Sequence, residues 1–398
     1  MAERNQSSDD SFDVVIVGGG ATGLGCAVDA ASRGYRTALL EAETFGSGTS
    51  SKSTKLFHGG VRYLPQLRFG LVREGLLERG VLRRIGSSLV RPLGIIIPVR
   101  SAVERAYYAA GLKLYDALAG RRNLESSRML SAAATFERLP TLRHDEVHGG
   151  VRYVDAQFDD LGYLHALAAT ARCLGATLLE HARAVRLVMT NERINGIIAR
   201  TGDEERIFSA RVVVNATGPR ADVMRRLSDP DAQAMIAPSR GSHVVLPARI
   251  LGGSDGLLIP RTDDGRVIFA LPWKERTLVG TTDVEVSHAD EHPQPSEEEI
   301  EYLLAHARRY LAVAVSRSDV EESFAGLRPL IRAKDAKTAA LSREHVVEVD
   351  KYGLVSILGG KWTTYRRMAK DTIDAAARTA HLPRAASKTE ELVLTTAR

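Results

Sequence analysis

Three stretches of this sequence carry residue types at spacings suited to chemistry. The first is a glycine fingerprint, Gly18, Gly20 and Gly23, in G-x-G-x-x-G spacing. It follows a short apolar run at 13–17 and precedes a helix of small residues at 24–32, so strand, turn and helix come in the order a dinucleotide site requires. The three glycines differ in what they allow. Gly18 permits the turn, Gly20 lets backbone approach a pyrophosphate, and Gly23 lets helix and strand pack closely. Ala21 and Thr22 then open the helix whose N-terminus meets the phosphates. The next strand, at 37–40, ends at Glu41, the usual place for an acid that bonds a ribose hydroxyl, with Ala42 beside it. The second stretch, FGSGTSSKSTKLFHGGVRYL at 45–64, is too polar for core and too long for a simple turn. It supplies Thr49, Ser50, Lys55, Leu56, His58, Arg62 and Tyr63, and loops of this kind line ligands. The third is GLVSILGGKWTTYRRMAKDTIDAAA at 353–377. There an apolar strand runs into Gly359, Gly360 and Lys361 and then a long helix, a second anion-friendly helix start.

The elements that must hold these stretches follow from periodicity. Residues 69–89 and 104–118 read as amphipathic helices with interleaved Arg, and 161–174 as an Ala/Leu helix. Strands are expected at 149–153, 176–179 and 184–189, the last containing Val185, and a hairpin with its following strand at 194–200 and 206–214. VVVNATG at 212–218 ends a buried-type strand in a small-residue turn that contains Ala216 and Gly218. Four short strands at 241–247, 256–260, 267–272 and 277–282 indicate an antiparallel sheet, and SEEEIE opens a helix at 296–314. A length of 398 residues accommodates two domains, or one large domain with insertions.

Bulk properties narrow the class. No apolar run approaches the roughly 20 residues that span a bilayer, and residues 1–11 lack the basic start and apolar stretch of a secretory signal, so they read as a loose tail. Cys26 and Cys173 form no C-x-x-C pair and are expected as buried thiols in a reducing cytoplasm. No His/Cys/Asp cluster has metal-ligand spacing, and no metal is expected. The net charge of +5 is uneven: residues 61–123 hold twelve Lys and Arg against four Asp and Glu, leaving the remainder acidic. Nucleic acid, anionic lipid and a phosphorylated substrate could each meet such a segment, as could plain solvent.

Taken together, VGGGATGLGCAVDAASRG, SGTSSKSTKLFHGGVRYL, YYAAGLKLYDALAG, NATGP, GSHVV, GTTDVE, AGLRPL and GGKWTTYR resemble the FAD-dependent glycerol-3-phosphate dehydrogenases of the aerobic bacterial and mitochondrial type. The resemblance implies an α/β fold with a Rossmann-like FAD-binding domain of the two-dinucleotide-binding flavoprotein type and an inserted antiparallel-sheet substrate domain. The layout expected is an FAD-binding domain from 12–90, 150–235 and 345–385, and a substrate domain or lid from 91–149 and 236–344. The family's C-terminal helical cap has no counterpart in this sequence. The resemblance further implies noncovalent FAD, oxidation of sn-glycerol 3-phosphate to dihydroxyacetone phosphate, and delivery of electrons to membrane quinone. It makes anionic headgroups the partner of the basic segment, excludes nucleic acid, leaves a homodimer open, and places the protein in the cytoplasm on the inner face of the cell membrane.

Residue roles follow from the matching motifs. Arg62, Arg328 and Lys361 would hold the substrate phosphate and border the flavin, with Tyr63 and Thr364 as hydroxyl donors, because a phosphate monoester needs several fixed cations. FAD would lie along Gly18, Gly20, Ala21, Thr22, Gly23, Glu41, Ala42, Thr49, Ser50, Lys55, Leu56, Val185, Ala216, Gly218, Gly360, Lys361, Trp362, Thr363 and Thr364. Hydride loss from C2 also needs a base for the hydroxyl proton. His243 in GSHVV is the first choice and His58 the second, with Arg328 beside the reacting carbon. Two rival readings share the fold: an FAD oxidase of an amino acid or 2-hydroxy acid that uses oxygen, and a non-catalytic flavoprotein scaffold.

Overall fold

The apolar run before the glycine turn forms the strand Ser11–Val17, parallel to Thr37–Leu40 on one side and to Glu204–Asn215 on the other. The computed structural model describes residues 11–290, 292–332 and 344–396. Ser11, expected in the tail, is therefore the first strand residue, and the rest of that tail lies outside the described residues. Parallel pairing continues to Thr177–Leu179 at one edge and to Val355–Gly359 beyond Glu204–Asn215, where His345–Val349 adds an antiparallel strand. Both faces of the central strands of this first sheet are covered, which is why residues 14–17, 38–40 and 212–214 are apolar and buried without alternation. Val14 and Ile16 pack with the helices Ala21–Ser32, Asp160–Cys173 and Tyr365–Thr379, while Val15 and Val17 pack with Ile197 and Phe208 of the hairpin. The hairpin Arg193–Thr201/Glu204–Asn215 forms as expected, and its second strand then runs on: Ser209 pairs with Gly196 on one side and Ser11 on the other.

The second sheet is larger, with Ile236–Pro247, Arg276–Gly280, Ile268–Trp273, Gly256–Ile259, Val90–Val99 and Gly149–Phe158 in spatial order. Alternate residues face two different cores. Ile96, Leu257 and Ile259 pack with Ile300, Leu303 and Leu304 of the helix Glu297–Tyr310, whereas Ile95, Ile97 and Leu258 pack with Val72 and Leu76 of the helix Phe69–Ile85 and Leu112 of the helix Ala102–Ala119. Ser296 and Glu299 form the capping box that the acidic first turn announced.

Of the strands that periodicity did not announce, the two longest, Val90–Val99 and Glu322–Ile331, carry prolines inside the run. Val90–Val99 has a second neighbour only at Ile95 and Ile96, so Pro92 and Pro98 sit where the strand has one partner, and Pro329 lies on a strand paired on one side only. Gly149–Phe158, expected with the nucleotide-binding elements, belongs to the second sheet, as does the two-residue strand Leu56–Phe57. The cysteines also divide: Cys26 is buried and Cys173 is exposed, at the end of its helix.

Candidate functional site

The carboxyl ends of the first sheet's parallel strands meet residues of the second sheet around a cavity of about 610 Å³. This is where open α/β sheets place ligands. The glycine turn forms one wall. Gly18 has φ +108°, and a Cβ on it would stand 2.6 Å from the Ala216 carbonyl oxygen; a Cβ on Gly23 would stand 1.8 Å from the Gly18 carbonyl oxygen. Both are packing glycines. Gly20 differs: it is extended (φ −79°, ψ −175°), and a Cβ there would meet only the Ser50 hydroxyl, at 3.0 Å. The helix it caps has no side-chain N-cap bond; the Ala21 N–H donates to Ser50 Oγ at 2.9 Å. The Glu41 carboxylate is fixed at the same end, accepting from the Gly19 N–H at 2.5 Å and the Glu43 N–H at 2.9 Å.

The polar loop is held on several sides. Trp362 Nε1 donates to the Ser50 carbonyl at 2.8 Å, and Thr49 Oγ1 to the Leu327 carbonyl at 2.6 Å. Phe57 stacks on Phe158 with ring centroids 3.6 Å apart, and Trp362 meets both edge-on. Lys55 is buried with its ammonium 2.6 Å from Asp160. Further along, the Gly59 N–H donates to Tyr115 Oη at 2.8 Å, and Tyr115 donates in turn to Asp155, which a buried Arg79 also engages. Gly60 then adopts the left-handed conformation, φ +81°, that turns the chain into Val61–Tyr63. Arg62 Nη2 donates to Tyr63 Oη at 3.0 Å, and Lys361 Nζ lies 4.7 Å from the centre of the Tyr63 ring. One aromatic ring thus gathers two cations from positions about three hundred residues apart in the sequence.

From the second sheet come His243 and Arg328, on the neighbouring strands Ile236–Pro247 and Glu322–Ile331. His243 is buried, stacks on Phe324, and has Nε2 2.9 Å from Thr54 Oγ1. A Cβ on Gly280 would stand 2.1 Å from its ring, so the missing side chain there is what admits the imidazole. Burial first, and then the positive charges of Arg328 and Lys55, push its pKa well below the ordinary histidine value, so the ring is neutral at pH 7. Arg328 Nη2 donates to Thr281 Oγ1 at 2.9 Å and to the Thr282 carbonyl at 3.0 Å, and Nη1 lies 3.3 Å from Asp283. The side chain crosses Gly241, where a Cβ would stand 2.3 Å from Nη2.

The cavity therefore collects Gly18, Gly20, Ala21, Thr22, Glu41, Ala42, Thr49, Ser50, Leu56, His58, Arg62, Tyr63, Ala216, Gly218, His243, Arg328, Gly360, Lys361, Trp362 and Thr363. Four expected residues are not on its wall. Gly23 works through packing, and Lys55 is spent on Asp160. Thr364 turns its hydroxyl to the Lys361 carbonyl and Met368. Val185 is the extra residue at a register shift in its strand, and Arg183 and Ala184 line the cavity instead. Sequence reasoning assigned no role to Thr54, Arg266 or Asp283, all of which line the cavity. The GTTDVE block was the available signal for Asp283; nothing in the sequence marked Arg266. No group of His, Cys, Asp and Glu suited to a metal occurs among the described residues.

A parallel sheet with a glycine turn at its carboxyl edge, crossed by a second sheet that brings a neutral histidine and an arginine, defines a flavin-dependent oxidoreductase. The chain belongs to the FAD-dependent oxidoreductase family, which it matches over residues 13–366. It is similar to human mitochondrial glycerol-3-phosphate dehydrogenase, 44% identical over 403 residues that make up 96% of this chain and 55% of the human one. A mitochondrial glycerol-3-phosphate dehydrogenase of Arabidopsis thaliana is also 44% identical, over 94% of this chain and 62% of that one. The chain thus spans little more than half the length of these curated relatives. Among solved structures, the glycerol-3-phosphate dehydrogenase of Bacillus halodurans complexed with FAD superposes with a TM-score of 0.79 at 29% identity, covering 97% of this chain and 68% of that one. The L-alpha-glycerophosphate oxidase of Mycoplasma pneumoniae shares the fold, with a TM-score of 0.73 at 18% identity over 95% of this chain and 96% of that one. The residues fit the family's cofactor: the backbone at Gly20 is open on the cavity side, the helix behind it has no side-chain cap, and Glu41 stands at the end of the second strand.

Proposed function

We propose that this protein oxidises sn-glycerol 3-phosphate at C2 to dihydroxyacetone phosphate and passes the electrons to membrane quinone. The observation that carries the reading is one cavity lined by Arg62, Lys361 and Arg328 together with a buried neutral imidazole. A phosphate dianion calls for several fixed cations, while a carboxylate substrate needs one. In this reading Gly20, Ala21, Thr22, Glu41, Ser50 and Lys361 hold FAD, which when bound supplies the hydride acceptor. Arg62 and Lys361 bind the phosphate, and Arg328 orients the C2 oxygen. His243 accepts the C2 hydroxyl proton at Nε2, the ring nitrogen that meets the cavity-lining hydroxyl of Thr54. In this reading the Thr54 hydroxyl donates to Nε2 in the resting site and gives way to the C2 hydroxyl when substrate binds, while the neutral ring keeps its own proton on Nδ1, which has no partner among the described residues. A positively charged imidazole is disfavoured there until a dianion arrives to offset Arg328 and Lys55.

Membrane docking through the basic segment is part of the same proposal. Arg100 and Lys113 are solvent-exposed, and the helix Ala102–Ala119 also exposes Val103, Tyr107 and Leu114, a combination suited to an anionic lipid surface. Arg79 is withdrawn from that surface because it is buried against Asp155. No helix of the described residues is long and apolar enough to cross a membrane. The test of the activity is anaerobic: FAD-loaded protein is mixed with glycerol 3-phosphate, an amino acid or a 2-hydroxy acid while visible flavin absorbance is followed. Bleaching by glycerol 3-phosphate alone is expected. Bleaching by an amino acid or hydroxy acid in its place, or by no polyol phosphate at all, overturns the reading.

A further inference from the structure

We propose that Arg266 is a further anion-holding cation of this cavity, and that Asp283 is the positioning residue that spaces it from Arg328. Together they favour a doubly charged phosphate ester over a carboxylate. The inference rests on the substrate reading above and deepens it. Asp283 stands between the two guanidinium groups and gives one oxygen to each: Oδ1 lies 3.3 Å from Arg328 Nη1, and Oδ2 lies 3.1 Å from Arg266 Nη1. Arg266 Nη1 also donates to the Asp283 main-chain carbonyl at 2.7 Å, so side chain and backbone of one residue fix the same guanidinium edge. From the adjacent strand the Ser239 hydroxyl donates to Asp283 Oδ1, which keeps the carboxylate from rotating toward either arginine alone. Arg266, Thr281, Thr282, Asp283 and Arg328 all line the cavity.

Two guanidinium groups on one wall repel, and Asp283, the carboxylate they share among the described residues, lets them stay together. Arg266 Nε also approaches Asp264 at 3.4 Å, but that carboxylate is 41% exposed and solvent screens the pair. Nη2 of Arg266 makes no hydrogen bond within the described residues, so one edge of its fork is open to a ligand.

The experiment uses FAD-loaded full chain and the variants Arg266→Met, Arg266→Lys and Asp283→Asn, with glycerol 3-phosphate as substrate and inorganic phosphate as competing anion. For Arg266→Met, KM and the phosphate inhibition constant should both rise about tenfold, the loss of one charge-assisted contact, while kcat changes far less. Arg266→Lys should recover part of the loss, and Asp283→Asn should raise KM with FAD content unchanged. Unaltered KM and phosphate inhibition in Arg266→Met overturn the proposal, as does a variant whose only defect is lost FAD or an early melt. The two readings fail separately. A parent protein that glycerol 3-phosphate cannot reduce removes the substrate, whereas inorganic phosphate that perturbs the flavin spectra of parent and Arg266→Met equally removes Arg266.

Discussion

Gly20→Ala and Gly23→Ala are the same chemical change three residues apart, and the structure separates their consequences. At Gly23 the new methyl would stand 1.8 Å from the Gly18 carbonyl oxygen and 3.0 Å from its carbon, both main-chain atoms that cannot swing aside. The helix must move off the strand, at the roughly 1–3 kcal/mol typical of overpacking or more. At Gly20 the backbone is already extended, and the only close atom is the rotatable Ser50 hydroxyl at 3.0 Å. Apoprotein should therefore tolerate alanine there, and the stiffer unfolded chain contributes about 0.4–1 kcal/mol in the opposite direction. The methyl does project where backbone would approach a pyrophosphate. Losing one or more charge-assisted contacts worth about 1.5–3 kcal/mol weakens FAD binding roughly tenfold to a hundredfold. Thermal melts of the two apoproteins, followed by FAD titration, read both effects. The expectation is a lowered Tm for Gly23→Ala, an unchanged or slightly raised apo Tm for Gly20→Ala, and weakened FAD binding by Gly20→Ala. A Gly20→Ala protein that melts as early as Gly23→Ala, or that holds FAD like the parent, would refute the assignment of packing to one glycine and cofactor approach to the other.

Three further outcomes are expected. Arg328→Lys keeps a charge but loses the fork that reaches Thr281, Thr282 and Asp283, so kcat/KM should fall about tenfold or more with Tm and FAD content near the parent's; early melting with normal turnover of the loaded fraction would make Arg328 structural. Because the His243 pKa is depressed, the base stays unprotonated as pH falls through the ordinary histidine value of about 6.5, and the acid limb of kcat/KM should lie well below it. A limb at or above that value would point to His58 or another group. Vesicles rich in anionic lipid should pellet the protein and release it as salt is raised, whereas equal pelleting with neutral vesicles would mark the basic segment as ordinary solvated surface.

What was legible in the sequence divides along physical lines. The glycine turn, Glu41 and the helix at Lys361 were readable because each is a local device, set by residues a few positions apart, and the structure places them around one cavity. Residues of the polar loop were recognisable as a group, yet Lys55 looked the same as Arg62 until the fold put Asp160 2.6 Å from its ammonium. Composition cannot show which cation is consumed by a buried partner. Arg266 lay beyond reach for the converse reason: nothing beside it in the sequence distinguishes it, and its place depends on Asp283, seventeen residues away across a hairpin. The strands Val90–Val99 and Glu322–Ile331 were hidden by prolines that one-sided pairing tolerates.

The bond from Trp362 to the Ser50 carbonyl joins positions 312 residues apart, and it has company: His58 reaches Thr363, Arg33 reaches Asp374, and Arg366 pairs with Glu78. The cavity wall that carries the glycine turn is thus built from an early part of the sequence and braced by a late one. A nascent chain carries the glycine turn and its loop for about three hundred residues of synthesis before the strand Val355–Gly359 and the helix Tyr365–Thr379 that complete them are added. Contacts of such sequence separation form slowly, and surfaces that await them are open to misassociation. A ligand that seats on this wall binds the assembled fold, so its binding free energy adds to the stability of molecules in which both parts have met.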